Sequence, residues 1–230
     1  WFACIINLIN LLYVFFFLDE SLTEKKDYKT SYSFKKFRSQ IDIIKNKKLL
    51  PFFLLIFCIH LTFSGMEGTI AIWGKETFVW GPKEIGFVML LAGLTQILVQ
   101  GVLLRVLLKF QNETTIIRSG YLSLILGFFI IPFSNLYFIP IAVILLCYGI
   151  GVSNPCLNSL ISKNADPDSR GLAMGSAYSS QAAARFLGQP LAGLMFLHLG
   201  KNYHFYFDVI FLILLASFYF LINSKEHKSL

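Results

Sequence analysis

Long apolar runs separated by short polar breaks make up most of the chain. Runs at 1–18, 49–73, 84–108, 116–134, 138–160 and 203–223 carry few charges. At about 1.5 Å per residue, roughly 20 residues cross a bilayer core, so the five later runs are long enough to span it and the first is near the minimum. A further stretch, Arg170–His198, is as long but carries small and polar residues where the others carry large apolar ones. In steps of four, Gly171, Gly175, Ser179 and Ala183 form one row, and Ser176, Ser180, Ala184, Gly188 and Ala192 form the row beside it. In lipid, helices gain little by hiding apolar surface from one another, and small residues at this spacing let two backbones approach closely. The pattern predicts a packed helix, with Gly171, Gly175, Gly188, Pro190 and Gly193 as its packing positions. A third row, Tyr178, Gln181, Arg185 and Gln189, gathers polar side chains on one face.

Polar residues divide the other spans. His60 and Glu67 lie in the run beginning at 49, Gln96 and Gln100 in that at 84, and Asn154 and Asn158 in that at 138; the runs at 116 and 203 have almost nothing similar inside. Intramembrane polar groups face the bundle or a water-filled cavity. The expectation is that the first three spans and Arg170–His198 are inner helices, and that those at 116 and 203 face lipid.

Charge sets the orientation. Residues 19–48 are polar and hold Lys25, Lys26, Lys29, Lys35, Lys36, Arg38, Lys45, Lys47 and Lys48. With this loop inside, the regions 105–118, 161–170 and 223–230 also fall inside, giving sixteen Lys and Arg against Lys75, Lys83 and Lys201 outside. The positive-inside rule therefore places the loop in the cytoplasm. At 56% hydrophobic residues and a mean hydropathy of +0.65, the chain is far too apolar for a soluble domain of 230 residues. The net charge of +7 is not a nucleic-acid signature, because the basic residues sit between apolar spans. Cys4, Cys58, Cys147 and Cys156 lie within apolar segments without paired spacing, so they read as small packing residues and not as a metal or disulfide set. The chain opens at Trp1 inside an apolar run, which reads as a piece of a longer protein.

Several residues are candidates for chemistry. Arg185 lies about 15 residues from the cytoplasmic end of its helix, roughly 22 Å deep, and needs an acidic or carbonyl partner. It is either a tie between helices or a cavity residue. Glu67 lies about 18 residues into its span, at a depth within one turn of Arg185 by count. A glutamate in an apolar pocket beside an arginine can exchange a proton near neutral pH, while one at the outer rim is merely solvated; both readings stand. His60, near mid-membrane, reads first as a hydrogen-bonded packing residue and second as a titrating group. Asn154-Pro155 with Asn158 breaks its helix, suiting either a moving gate or a packing bend. Trp73, Phe78 and Trp80 read as an interfacial aromatic belt. No Walker loop, HExxH or Ser-His-Asp order is present, so ATP-driven pumping and hydrolysis have no motif behind them.

Two stretches carry a family resemblance. The run from Asp166 and Pro167 through Arg170-Gly171, Gly175, Ser179-Ser180 and Ala184-Arg185 to Gly188-Gln189-Pro190-Leu191-Ala192-Gly193 resembles the eleventh helix of the major facilitator superfamily. The run from Ser64-Gly65-Met66-Glu67 through Trp73, Phe78, Gly81-Pro82 and Ile85-Gly86 to Gly93-Leu94 and Gln100-Gly101 resembles its helix 7 to helix 8 region. Both look most like the tetracycline-resistance-type drug:proton antiporters. Between helices 8 and 9 the chain keeps Gly101, Arg105 and Lys109 of a glycine-and-basic signature but lacks its second glycine.

The resemblance implies an all-α membrane protein. It would be the six-helix C-terminal bundle of a superfamily transporter plus the end of the preceding helix: 1–18 the end of helix 6, 19–48 the basic cytoplasmic loop, 49–223 helices 7 to 12, and 224–230 a cytoplasmic tail. It implies proton-coupled efflux of a small organic compound or drug, such as a tetracycline-like molecule, across a plasma membrane of the bacterial inner-membrane type. It implies no enzyme activity and no cofactor or metal. Expected partners are the lipid bilayer, an N-terminal six-helix half, the substrate and protons, with no nucleic acid. The substrate and proton path would draw on Glu67, Arg185, His60, Gln96, Gln100, Asn154, Asn158, Tyr178, Gln181 and Gln189. Uptake symport on the same fold, an inactive remnant of a truncated gene and, more distantly, an integral membrane enzyme are the alternatives.

Overall fold

The computed structural model describes residues 2–18, 43, 46, 48–133 and 135–226. Most of the basic segment 19–48 and the end of the tail therefore lie outside the described residues. The chain forms two units, Trp1–Phe37 and Arg38–Leu230. In the first, α1 (Phe2–Phe17) is a 16-residue apolar helix in which Tyr13 stacks on Phe17 at 5.1 Å.

Among its described residues, the second unit shows six long helices and no strand. They are α2 (Leu50–Phe78), α3 (Pro82–Phe110, with a π-helical turn at Val99–Leu103), α4 (Glu113–Ile130, extended by a 3-10 turn to Phe133), α5 (Ile139–Asn164), α6 (Arg170–His198) and α7 (Tyr203–Glu226). By length and composition alone, α2, α3, α4 and α5 are apolar enough to cross a membrane. α6 is just as long but owes its lower hydropathy to its small and polar rows.

Two helix pairs organise this unit, α2 with α6 and α4 with α5. In the first, a side chain on Gly188 would run into the Leu61 carbonyl and the Ser64 hydroxyl, and one on Gly65 would come within 3.1 Å of Ala192 Cβ. Ser180 Oγ reaches the Phe53 carbonyl at 3.5 Å. These contacts pair 53 with 180, 61 with 188 and 65 with 192, so α2 and α6 run parallel at a constant offset. The row Ser176, Ser180, Ala184, Gly188 and Ala192 makes this seam, with Ser176, Ala184, Gly188 and Ala192 buried. The neighbouring row does not: within this chain, nothing lies within 4 Å of a β-carbon built on Gly171, Gly175 or Gly193, and Pro190 is exposed. In the second pair, the Gly120 carbonyl would lie 2.7 Å from a β-carbon on Gly149. Close backbone approach is what glycine permits at both seams.

Two expectations need correction. α2 does not end at 73 but continues through Lys75 and Glu76 to Phe78. Charges do not stop a helix; α2 stops at Val79, which turns left-handed with its N–H on the Lys75 carbonyl, and α3 opens at Pro82, with Glu84 accepting the Gly81 N–H at 2.8 Å. Half of the apolar window of α4 is buried but only 11% of that of α3, because α3 touches its neighbours along a narrow line that includes Thr95, Val99 and Leu104. Finally, α7 is not featureless: His204 and Asp208 are 1% and 6% exposed.

Candidate functional site

Four polar side chains converge where α2, α5 and α6 meet. The Asn154 side-chain carbonyl lies 3.4 Å from His60 Nε2, 3.5 Å from Asn158 Nδ2 and 3.5 Å from Gln181 Nε2. These are long hydrogen bonds, so Asn154 is a shared acceptor held loosely by three donors. Pro155 follows it inside α5 and gives up a backbone N–H just where the chain crowds this centre. His60 is 4% exposed, while Asn154, Asn158 and Gln181 are half-buried. Nδ1 of His60 and Oδ1 of Asn158 are buried and without a partner among the described residues. Buried polar atoms are nearly always satisfied, which marks this as a place where a further polar group belongs.

The cluster extends along neighbouring helices. On α3, Gln100 donates to Gln96 at 3.1 Å, and Gln96 Oε1 would come within 2.9 Å of a β-carbon on Gly151, one turn before Asn154. Gln100 and Gly101 sit in the π-helical turn, a local widening that is frequent at functional sites. On α6, Arg185 lies one turn beyond Gln181, exposed and with no ion pair or hydrogen bond among the described residues. It is within electrostatic reach of His60. Tyr178 is 59% exposed and Gln189 is exposed. Gln189 also lies over Gly68 of α2, its Cγ 3.3 Å from where a β-carbon would be.

Glu67 is elsewhere. Along the α2–α6 seam Arg185 is level with Cys58, nine residues before Glu67, or roughly 13 Å along the axis. Counting residues from each helix start put the two at one depth because it assumed that both helices start at one level; the register shows otherwise. Glu67 is exposed at the edge of an apolar cavity of about 70 Å3 between α2, α3, α4 and α5, lined by Met66, Met89, Ala92, Leu146 and Cys147 among others.

The tryptophans are also not a lipid-facing belt. Trp73 and Trp80 are 1% and 7% exposed. Trp73 packs edge-on against Phe78, Trp80 and Phe205 at 5.6 to 6.3 Å and donates its indole N–H to Asn202 at 2.8 Å. This aromatic box fastens the α2–α3 turn to the start of α7. The sequence gives its residues but not their partner, which lies more than 120 positions away.

Sequence reasoning missed His204 and Asp208. His204 Nε2 is 2.9 Å from Thr69 Oγ1, and with Asp208 it lines a cavity of about 20 Å3 behind the α2–α6 seam. Two ionisable residues at i and i+4 in an apolar run were the available signal, masked by their place near the start of the span.

A family model of the Major Facilitator Superfamily matches residues 1–189. The chain belongs to the major facilitator superfamily. Among similar proteins, human major facilitator superfamily domain-containing protein 10 is 26% identical over 219 residues, 85% of this chain and 47% of its own length. The class D tetracycline resistance protein of Salmonella ordonez is 25% identical over 196 residues, 84% of this chain and 49% of its own length. The crystal structure of the human organic anion transporter MFSD10 (TETRAN) superposes with a TM-score of 0.79 at 23% identity, covering 96% of this chain and 56% of that one. The chain thus spans about half the length of the curated relatives it matches, and its six-helix unit has the fold of a C-terminal half of a superfamily transporter.

Proposed function

We propose that the full-length protein containing this chain exports a small, amphipathic organic compound bearing an acidic group, in exchange for protons. The observation that carries this reading is the Asn154 centre: three helices supply His60, Asn154, Asn158 and Gln181 to one loosely bonded cluster, and Arg185 lies one turn away with no counter-ion among the described residues. An unpaired guanidinium at this depth is costly unless an anion meets it, and a planar fork suits a carboxylate or enolate. Acidic organic cargo is consistent with the names of two proteins similar to this chain, an organic anion transporter and a tetracycline resistance protein. His60 is the proton-exchanging group in this reading, since its second ring nitrogen has no partner. Gln96, Gln100, Tyr178 and Gln189 would line the path toward and away from the centre. Glu67 would act separately, at its apolar cavity.

In this reading α1 is the end of helix 6, the loop 19–48 and the tail from 224 are cytoplasmic, α2 to α7 are helices 7 to 12, and the protein resides in a plasma membrane. The face of α6 carrying Gly171, Gly175 and Gly193 would be covered by the N-terminal half. The test is transport in everted membrane vesicles made from cells expressing the full-length protein. Lumen acidification should drive uptake of a fluorescent organic anion, and a protonophore should abolish it. Uptake only in right-side-out vesicles would indicate symport, and none in either would leave a remnant; both contradict the proposal.

A further inference from the structure

A second polar centre lies on the other side of the α2–α6 seam, away from Asn154. On α2, the row Leu61, Gly65 and Thr69 faces the start of α7 and, with Gly188, Leu191, Ala192 and Met195 of α6, encloses His204 and Asp208. The hydrogen bonds fix the proton inventory. Thr69 has one hydroxyl proton, and it goes to the Gly65 carbonyl at 2.8 Å. Its oxygen therefore accepts from His204 Nε2–H at 2.9 Å, which leaves Nδ1 of the neutral ring as a bare acceptor. Nδ1 of His204 and Oδ2 of Asp208 are both buried and without a partner among the described residues. They are one helical turn apart and line the same cavity, which has room for about one water.

Charge does not resolve the deficit. Around the cavity, α2 presents Leu61 and Gly65, with Thr69 and Cys58 nearby, and α6 presents Gly188, Leu191, Ala192 and Met195, none of them charged. Of the titratable groups of α4, Tyr121 neighbours both Cys58 and Tyr219 and gives its hydroxyl proton to the Leu55 carbonyl, while Arg118 neighbours Tyr219, farther along α7. Among the described residues, no ion pair reaches the carboxyl group. A carboxylate would add an acceptor to a pocket that already has one too many, with no countercharge in an apolar setting. A carboxylic acid supplies the missing donor.

We propose that Asp208 is a proton-binding site in its own right, with His204 Nδ1 as hydrogen-bond acceptor, directly or through one water. The cavity abuts the tightest point of the α2–α6 seam, where Gly188 meets Leu61. Separation of α6 from α7 would admit water, the acid O–H would break, and the proton would pass to that water, leaving the carboxylate solvated. The site deepens the proton-coupled reading by adding a group outside the central cluster, but its occupancy is measurable without any substrate.

The experiment is infrared difference spectroscopy of the purified full-length protein in lipid, titrated from mildly acidic to alkaline pH. Wild type should show a carboxylic-acid C=O band at neutral pH that is absent in Asp208→Asn, and that falls as pH rises while the helical amide band is unchanged. Asp208→Asn mimics the neutral acid and should reach the membrane in wild-type amount. Should it not, His204→Gln should shift the same band, and the wild-type titration stands alone. Four results would overturn the proposal: no Asp208-dependent acid band, a band that persists until the helices melt, a histidinium signal in its place, or loss of the band on adding sodium at constant pH with a choline control unchanged. The last would make the pocket a metal-cation site. Transport failing while the band titrates would sink the export reading and leave the proton site intact.

Discussion

Glu67 and Arg185 stand nine residues apart along the α2–α6 seam, because Gly188 seats against Leu61 and so sets Arg185 level with Cys58. Roughly 13 Å of axial separation is beyond any direct ion pair. Their neutralising substitutions should therefore act independently. In proton-driven flux normalised to membrane abundance, the loss in Glu67→Gln/Arg185→Gln should equal the product of the two single losses. Rescue of one by the other would show that they meet, and would contradict the register.

The two rows of small residues on α6 should respond differently to bulk. Gly188→Leu drives a side chain into the Leu61 carbonyl and the Ser64 hydroxyl, and should cost about 3 kcal/mol or more, seen as loss of folded protein in the membrane. At Gly175 an added β-carbon meets nothing within 4 Å in this chain, and Gly175→Leu should leave the folding of this half intact. Thermal unfolding of the purified C-terminal half, if both variants behave alike, would remove the assignment of the seam to one row.

Much of this arrangement was legible in the chain. Apolar run lengths gave six of the helices within a few residues, and the small-residue rows marked α6 from Arg170 to His198 as a packing helix. Polar residues marked the spans carrying His60, Asn154, Asn158 and Gln181 as facing the bundle or a cavity, but not that these four meet; the pairing they suggested was Glu67 with Arg185. Which row of α6 meets α2, how far Glu67 lies from Arg185, and that Trp73 reaches Asn202 depend on the offset between helices, which periodicity within a single helix does not contain. His204 and Asp208 were overlooked because a helix start reads as interfacial until its neighbours are known to bury it.

The turn between α2 and α3 holds a backbone penalty. Val79 adopts φ 59° at the α2 C-cap, where its N–H bonds the Lys75 carbonyl at 3.0 Å, and its side chain is 88% exposed. A β-branched residue in the left-handed region costs roughly 1 to 2 kcal/mol, and little packing is lost on removing it. Val79→Gly should raise the thermal midpoint, with a net gain of about 1 kcal/mol after the added freedom of the unfolded glycine. A lowered midpoint would mean that the valine makes a contact that offsets the strain.

Orientation is open to direct labelling. Lys163, at the end of α5, and Lys201, between α6 and α7, lie at opposite ends of the bundle. Single cysteines at the two positions, in a cysteine-free full-length protein, should react with an impermeant maleimide from opposite sides, that at 201 from outside in intact cells. Labelling of both from outside would overturn the topology.

The central claim is that the Asn154 centre lies on the substrate path. Gln181, whose side-chain amide is 3.5 Å from Asn154 Oδ1, is the residue to replace with cysteine for a direct test. In the full-length protein, Gln181→Cys should react with a small hydrophilic thiol reagent at a rate that falls about tenfold when a transported organic anion saturates the site, a loss of access worth roughly 1.4 kcal/mol. Ser153, fully buried next to Asn154, should stay unreactive as cysteine under both conditions. Reaction at Gln181→Cys that is unchanged by saturating substrate, in protein that still transports it, would place the path elsewhere and contradict this account.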